Sequence, residues 1–366
     1  MGVKDDFKLN IKLLQLPTFI PNNYLNCEPD LVLRNQISLN AKSQNEFENF
    51  LYKKIFLFMP VSYLEGFKIE EKKIKELSLP NQPKKIFSSN ILNKSLLSRY
   101  CAEKVENGSQ LILGVHGGSY GHYDIHFNFN HEINISDLYL TWGGKNIKNS
   151  KVKPFGIIRP LPNYKKKQNQ KLLTMIIPCV DLFKPYMESD ISMIHNKNLI
   201  FNPCFKIIDN LNESIKLNNL LIRCEERNFG QNEYKTFEEK YPNIKKDNRK
   251  INYNDLLSNT RIFLSPYLGT GFLETLAMNI PTLVFTAKKN SNIINDEAKK
   301  FYEILKKSKV FFDDETELSN HINQIWNDHY SWWNSSEVQK AVKIFCNEYA
   351  YKNNNKIEDL KKILLN

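Results

Sequence analysis

The stretch that most limits the possible folds is "RIFLSPYLGTGFLETLAMNIPTLVF", residues 261–285. Two short apolar runs, each of the length of a buried strand, enclose a glycine turn and a segment with helical spacing. A strand, a helix and a second strand in this order are typical of the β-α-β unit of a parallel sheet. We therefore expect an α/β fold.

The same alternation continues along most of the chain, with a Pro-rich and Lys-rich linker at 151–170 between two α/β halves. This is the plan of a GT-B glycosyltransferase, in which two Rossmann-like domains face a cleft and a C-terminal helix packs back on the first domain. The predicted strands are 84–90, 110–118, 137–144, 171–180, 219–225, 261–267 and 281–285; the predicted helices are 94–106, 202–218, 251–260, 272–279 and most of the tail from 296. The expected domains are an abbreviated acceptor-side α/β domain at 1–155, a nucleotide-sugar-binding α/β domain at 170–335 and a helical segment at 336–366.

Composition restricts the partners. The formal net charge is +11, which favours anionic ligands or surfaces, although AT-rich codon usage gives the same excess of Lys. No stripe of interleaved basic and aromatic residues is visible, so nucleic-acid binding is not expected. The six cysteines form no CxxC pair, which favours reduced thiols in the cytoplasm, and no apolar run suits a signal peptide or a membrane span.

The glycine turn is a candidate nucleotide site. Gly269 and Gly271 let the backbone approach a ligand, and the N-terminus of the following helix favours a phosphate. Thr270 offers a hydroxyl, and Glu274 offers a carboxylate that can accept hydrogen bonds from a ribose diol. The alternative is structural, with Thr270 as a helix cap and Glu274 as a first-turn acid.

Two polar residues at strand ends are assigned to the same nucleotide site. Ser265 lies in the strand that leads into the glycine turn, and Arg223 closes the strand "NLLIRCE", where its planar guanidinium suits a phosphate. For Arg223 the alternative is a surface ion pair with Glu225 or Glu226. The tryptophans of "WNDHYSWWN" are interpreted as packing residues rather than as a sugar platform.

A second candidate region is "GVHGGSYGHYDIHFNFNHEINISD", residues 114–137. His116 follows a buried strand and serves either as the base that removes the acceptor proton or as a group that stabilises the leaving phosphate. Asp124 is a second candidate base, ahead of Glu132 and Asp137. The substrate-binding residues expected here are Gly117, Gly118, Ser119, Tyr120 and Gly121. The alternating "HYDIHFNFN" is interpreted as extended or irregular, so its histidines predict no metal site.

From about residue 84 to 350 the chain resembles a family of transferases typified by a Leptospira protein and found near surface-carbohydrate genes. The resemblance rests on "AEKVENGSQLILGVHGGSYG", "HEINISDLYLTWG", "GTGFLETLAMNIPTLVF", "DEAKKFYEIL" and "IWNDHYSWWNSSEVQKAVKIFCNEYA". It implies a GT-B-like transferase that acts in surface polysaccharide assembly. Residues 1–80 are short for a complete first Rossmann half, and "RCEERNFGQNE" matches the family pattern only loosely.

The function expected from these features is transfer of a sugar from a nucleotide-sugar donor to a surface-polysaccharide or lipid-linked acceptor. The nucleotide-sugar is a co-substrate, and no cofactor or metal is expected. Three alternatives remain: a CDP-polyol phosphotransferase or CMP-sugar transferase, a nucleotide-sugar 2-epimerase, and a non-enzymatic nucleic-acid-binding protein. The expected location is the cytoplasm, with contact to the inner membrane around Lys53, Lys54, Lys72 and Lys73.

Overall fold

The computed structural model describes residues 1–16, 27–40, 43, 45–91, 95–118, 120–124, 126–144, 149–178, 198–228, 230, 232–288 and 293–366. Its strands are β1 Lys85–Ser88, β2 Gln110–Gly114, β3 Leu138–Thr141, β4 Val152–Pro154, β5 Leu172–Ile176, β6 Leu220–Arg223, β7 Lys245–Asp247, β8 Thr260–Ser265, β9 Thr282–Phe285 and β10 Phe311–Phe312. None of the described helices combines the length and the apolar character needed to cross a lipid bilayer.

The helices alternate with these strands in the second half of the chain and dominate the first 80 residues. They are α1 Val3–Lys12, α2 Leu31–Asn40, α3 Glu46–Phe58, α4 Phe67–Glu76, α5 Ser95–Glu106, α6 Phe127–Ile135, α7 Asn198–Asp209, α8 Glu213–Asn218, α9 Glu233–Lys240, α10 Tyr253–Asn259, α11 Thr270–Ala277, α12 Asp296–Lys307, α13 Glu315–Ile325, α14 His329–Trp333, α15 Ser336–Tyr349 and α16 Lys356–Leu365.

The chain divides into two compact units. The larger unit contains Met1–Asp5 and Ile112–Asn366, and the smaller unit contains Asp6–Leu111. In the smaller unit, β1 lies beside the start of β2, where the Gln110 N–H donates to the Lys84 carbonyl at 2.9 Å. The domain boundaries expected at 155, 170 and 335 stay a prediction.

A six-stranded parallel sheet forms the core of the larger unit. Its strand order is β10-β9-β8-β5-β6-β7, and Leu173 on β5 lies opposite both Ile262 on β8 and Leu220 on β6. All three of these side chains are fully buried, which explains why these strands are nearly continuous apolar runs in the sequence. The chain order reverses between β5 and β8. In doubly wound sheets, ligands bind at such a switch point, beyond the carboxyl ends of the strands.

The other sheet of the larger unit is built from β2, β3 and β4, which also run parallel. Together the two sheets confirm the α/β class and the parallel strands expected from the sequence. The tail returns to this sheet, as expected: the Tyr351 N–H donates to the Trp142 carbonyl at 2.7 Å, and the Ile157 N–H donates to the Tyr351 carbonyl at 2.8 Å.

Two local predictions are wrong. The segment after His126 is the helix α6 rather than an extended run, because the His126 Nδ1 accepts the Phe129 N–H at 3.1 Å and caps the helix. The single helix predicted at 202–218 is two helices, α7 and α8, interrupted after Asp209. The tryptophan prediction is confirmed for Trp326 and Trp333, whose side chains are buried.

Candidate functional site

The glycine turn lies at the switch point of the six-stranded sheet, because it directly follows β8. Gly269 precedes α11 as its N-cap, and Thr270 is the first helical residue. The first N–H groups of a helix have no partner within it, so this end of α11 is suited to an anion. Ser265 is buried at the end of β8, and its hydroxyl donates to the Tyr267 carbonyl at 2.7 Å, which holds the turn.

The two glycine segments predicted to share a site are in direct contact. The Gly118 N–H donates to the Thr270 Oγ1 at 2.8 Å. A Cβ atom on Gly118 would lie 2.6 Å from the backbone nitrogen of Thr270, and one on Gly117 would lie 2.9 Å from its hydroxyl. The approach requires glycine at position 118, where the obstructing atoms are backbone; at position 117 the obstructing atom belongs to a side chain. The alternative role of Thr270 as a helix cap is wrong, because its hydroxyl accepts from Gly118 and α11 has no side-chain cap.

Glu274 is buried and paired with a residue that the sequence did not indicate. Its Oε1 lies 2.9 Å from the Nε of Arg159, which belongs to the linker between β4 and β5 and is half exposed. Burial raises the pKa of Glu274, and the charge of Arg159 acts against that rise. The alternative of a first-turn helical acid is wrong, since Glu274 lies beyond the first turn of α11. The pair presents a carboxylate and a guanidinium side by side.

Tyr253 connects Arg223 to this pair. Burial, followed by the negative charge of Glu274, raises the pKa of the Tyr253 hydroxyl, and the charges of Arg223 and Arg159 act in the opposite direction. The Arg223 guanidinium carbon lies 5.7 Å from the centre of the Tyr253 ring. Two arginines, one carboxylate and one phenol therefore interact at the same edge of the sheet.

Arg223 forms an ion pair with Asp247 rather than with Glu225 or Glu226, the partners considered as its alternative. Its Nη1 binds the Asp247 carboxylate and donates to the Ile251 carbonyl at 2.9 Å. Glu225 pairs instead with Arg227, whose Nε lies 3.2 Å from its Oε1. Asp247 fixes the Arg223 side chain, which is largely buried, at the end of β6.

A cavity of about 220 Å³ lies at the carboxyl ends of β2 and β3. Three of the predicted substrate residues line it, together with aromatic side chains and three charged residues from α12 and α15. The lining includes Gly117, Tyr120, Gly121, Phe129, Trp142, Leu273, Glu297, Lys300, Phe301, Glu348 and Tyr349. Leu273 belongs to α11 and precedes Glu274, so the cavity adjoins the helix that follows the glycine turn.

The candidate bases occupy different surroundings. His116 is exposed and directly precedes Gly117, a residue of the cavity wall. Asp124 is also exposed, and its N–H donates to the Ile293 carbonyl at 2.7 Å; neither residue is part of the cavity lining. Asp137 is exposed, whereas Glu132 is buried and accepts the Tyr139 hydroxyl at 2.7 Å. Burial raises the pKa of Glu132 to about 7. Ser119 lies outside the described residues.

His122 and His126 are buried within the larger unit. His122 Nδ1 is hydrogen-bonded to the Tyr302 hydroxyl, and burial lowers the pKa of His122 to about 3. Burial lowers the pKa of His126 to about 4, and its ring lies 4.0 Å from that of Tyr120. Among the described residues, no group of three or more His, Cys, Asp or Glu side chains has a geometry that could hold a metal ion.

A doubly wound sheet with a glycine turn and a helix N-terminus at its switch point defines an α/β protein with a candidate site for a phosphorylated ligand. The chain belongs to the LIC12162 family of transferases, whose family model matches residues 1–364. The family resemblance expected from the sequence is confirmed. No curated protein matches the sequence.

Several solved structures are similar to the chain at low sequence identity. TarM is 12% identical over 80% of this chain and 57% of its own, with a TM-score of 0.47. The pneumococcal O-GlcNAc transferase GtfA, in complex with UDP and GlcNAc, is 13% identical over 81% of this chain and 59% of its own, with a TM-score of 0.45. MurG of Acinetobacter baumannii is 12% identical over 84% of this chain and 79% of its own, with a TM-score of 0.41. The chain thus spans less than two thirds of TarM and of GtfA.

Proposed function

We propose that the protein is a metal-independent glycosyltransferase of the GT-B type that uses a nucleotide-sugar donor. The observation that carries this proposal is the contact of Gly118 with Thr270 beside the buried Glu274, whose carboxylate pairs with the half-exposed Arg159. Glycine backbone and a helix N-terminus suit the phosphates of a donor, and a carboxylate a few residues away suits its ribose.

In the proposed donor complex, the phosphates lie against the N-terminus of α11, with Gly269, Thr270 and Gly271. The ribose hydroxyls donate to the Glu274 carboxylate. Arg159 favours the ionised form of that carboxylate, which burial alone would disfavour. Arg223 supplies a second positive charge at the same sheet edge, and Ser265 holds the turn through Tyr267.

The proposed acceptor site is the cavity lined by Gly117, Tyr120 and Gly121. Its aromatic and charged walls suit a hydroxylated ring, and its volume suits a group smaller than a typical drug-sized ligand. His116 is proposed as the base. The acceptor hydroxyl gives its proton to the imidazole, its oxygen bonds to the anomeric carbon, and the bond from that carbon to the donor phosphate breaks and releases the nucleotide. Asp124 is the second candidate for this step.

The proposed acceptor is a surface polysaccharide or a lipid-linked glycan, and the proposed location is the cytoplasmic face of the inner membrane. The net charge of +11 supports contact with anionic lipid. A CDP-polyol phosphotransferase or a CMP-sugar transferase remains the second candidate, because the same anion site would hold either donor.

Thermal unfolding with CMP-, CDP-, UDP-, GDP- and dTDP-sugars tests the proposal, since a ligand that binds only the native state raises the melting temperature. We expect one nucleotide class to raise it by a few degrees and the others to have little effect. Product analysis with the selected donor then separates the reactions, because a 2-epimerase converts the donor without any acceptor. No response to any donor, or conversion without an acceptor, would contradict the proposal.

A further inference from the structure

We propose that the outward face of α3 docks on an anionic phospholipid bilayer. This inference rests on the proposed membrane location, but it does not depend on the transfer chemistry. It assigns the contact to one helix of the smaller unit and to insertion of aromatic side chains rather than to charge alone.

One face of α3 is apolar and exposed. Phe47, Phe50, Leu51, Ile55 and Phe58 follow the helical spacing that places side chains on one side of a helix. Three of them are large and strongly exposed: Phe47 is 69% exposed, Phe50 is 58% exposed and Phe58 is 82% exposed. An aromatic patch of this kind on a water-facing surface marks an interaction site.

The orientation of this face is fixed by contacts on the opposite side of α3. The half-buried side chains of α3 are Asn49, Tyr52 and Phe56, and the Ser38 hydroxyl of α2 donates to the Tyr52 carbonyl at 3.2 Å. The apolar side chains therefore face away from α2.

Arg34 locks the end of the same helix. Its Nη1 donates to the carbonyls of Phe56, Leu57 and Met59 at 2.8–3.1 Å, and its Nε lies 2.7 Å from the Glu65 Oε1. Arg34 is itself fully buried, so the network belongs to the interior of the smaller unit. The apolar face cannot turn inward without breaking it.

The positions of two lysines favour a lipid surface over a protein partner. Lys54 lies within the apolar face, one turn from Phe50 and Phe58, and Lys53 lies beside it; both are exposed. A protein partner that covered the face would have to bury the Lys54 ammonium, which is costly without a counter-charge. At a bilayer, the lysine stem lies along the acyl region while its ammonium reaches the lipid phosphates.

The acids of α3 do not oppose this arrangement. Glu46 and Glu48 are in its first turn, and the Ser43 hydroxyl donates to Glu48. They lie on the flanks of the helix, outside the run of apolar side chains.

Two copies of the face packed about a twofold axis would bring the Lys53 and Lys54 pairs of each copy close together, which disfavours a homodimer through this surface.

Sedimentation of the full chain with vesicles tests the proposal. The probes are vesicles of phosphatidylcholine with 30% phosphatidylglycerol and vesicles of phosphatidylcholine alone. We expect the wild type to bind the anionic vesicles, and we expect the double variants Phe50→Ser/Phe58→Ser and Lys53→Glu/Lys54→Glu each to bind them at least tenfold more weakly. Leu217→Ser on α8, which removes an exposed apolar side chain of the larger unit, is the control that should bind like the wild type.

Circular dichroism and the thermal shift by a nucleotide-sugar are measured on every variant, so that misfolding and loss of the donor site are recognised separately. A wild type that ignores anionic vesicles would overturn the proposal, as would equal binding to both vesicle types or unchanged binding by the Phe50→Ser/Phe58→Ser variant. A dimer in solution that the same variant dissociates would show that a second copy occupies the face. If no nucleotide-sugar binds but the vesicle results hold, the proposed function fails while the docking face stands.

Discussion

Glu274 and Arg159 are the pair on which the proposed donor site depends. A buried carboxylate is normally disfavoured in its ionised form, and burial does raise the pKa of Glu274. The Arg159 Nε lies 2.9 Å from the Glu274 Oε1 and its positive charge counteracts that effect. Because Arg159 is half exposed, it does not seal the site from solvent. In the proposed donor complex, the pairing favours the ionised carboxylate, which accepts the ribose hydroxyls.

Replacement of Arg159 should make donor binding depend on pH. In Arg159→Ala the pKa of Glu274 rises further, so the carboxylate becomes protonated at a higher pH than in the wild type. The protonated group accepts fewer hydrogen bonds, so the variant loses acceptor capacity as the pH falls. We expect donor affinity in this variant to decrease from pH 8 to pH 6 more steeply than in the wild type, with Arg159→Lys in between. Calorimetric titration at the two pH values measures this. Parallel pH profiles for wild type and Arg159→Ala would contradict the assigned role.

The contact between the two glycine segments joins a loop after β2 to the turn after β8. The approach is tightest at Gly118, where an added Cβ would meet the backbone of Gly269 and Thr270. At Gly117 the nearest atom is the Thr270 side-chain oxygen, which can shift at the cost of its hydrogen bond from Gly118 and without displacing backbone. The two positions therefore offer a matched comparison.

Gly118→Ala should weaken donor binding much more than Gly117→Ala. A methyl group forced against backbone atoms must displace one of the loops, and strain of this kind costs about 1–3 kcal/mol. We expect Gly118→Ala to lower the melting temperature and to abolish the thermal shift by the donor, and Gly117→Ala to retain most of both. Equal effects of the two substitutions would show that the loop contact does not form the site.

The elements of the six-stranded sheet were predictable because its strands are buried on both faces. Runs such as "NLLIRCE" and "PTLVF" are apolar for that reason, and the glycines between them indicated the switch-point turn. The helix α6 was not predictable from periodicity, because the alternating "HFNFN" imitates a strand while a histidine cap begins the helix. The strands β4 and β7 are short and partly polar, so neither produces an apolar run.

The candidate site was only partly predictable. Gly118 and Thr270 could be assigned separately from their local motifs, but nothing in either motif states that they touch. Arg159 lies in a Pro-rich linker whose composition indicates a loop, and its pairing with Glu274 arises only when the chain folds. Glu297 and Glu348 of the cavity wall lie on helices whose sequence shows only amphipathic spacing.

Among its described residues, the larger unit carries four buried histidines that burial keeps neutral. Burial lowers the pKa of His122 to about 3 and the pKa values of His126, His321 and His329 to about 4. In the unfolded chain their pKa is about 6.5. Below that pH the unfolded state therefore binds more protons than the native state. The stability that these neutral histidines leave intact above pH 6.5 is lost as the pH falls toward 4.

His321→Leu should make the protein less sensitive to acid. Neither ring nitrogen of His321 has a hydrogen-bond partner within the part of the chain that the structure describes, so the substitution removes a proton-binding group without removing such a bond. We expect the loss of unfolding free energy between pH 7 and pH 5 to be smaller in the variant by about 2 kcal/mol, from 1.36 kcal/mol per pKa unit. Urea unfolding at both pH values measures the difference. An identical loss in both proteins would mean that His321 does not titrate as described.

The most direct test is calorimetric titration of wild type, Glu274→Gln and Glu70→Gln with the nucleotide-sugar selected by thermal unfolding. Glu70 is also a buried glutamate that pairs with an arginine, Arg99 at 3.5 Å, but it belongs to the smaller unit and has no proposed ligand. Loss of a hydrogen bond to a charged group costs about 1.5–3 kcal/mol. Glu274→Gln should therefore bind the donor roughly tenfold to 150-fold more weakly, while Glu70→Gln binds it like the wild type. Unchanged donor affinity in a folded Glu274→Gln variant would contradict the assignment of the donor site.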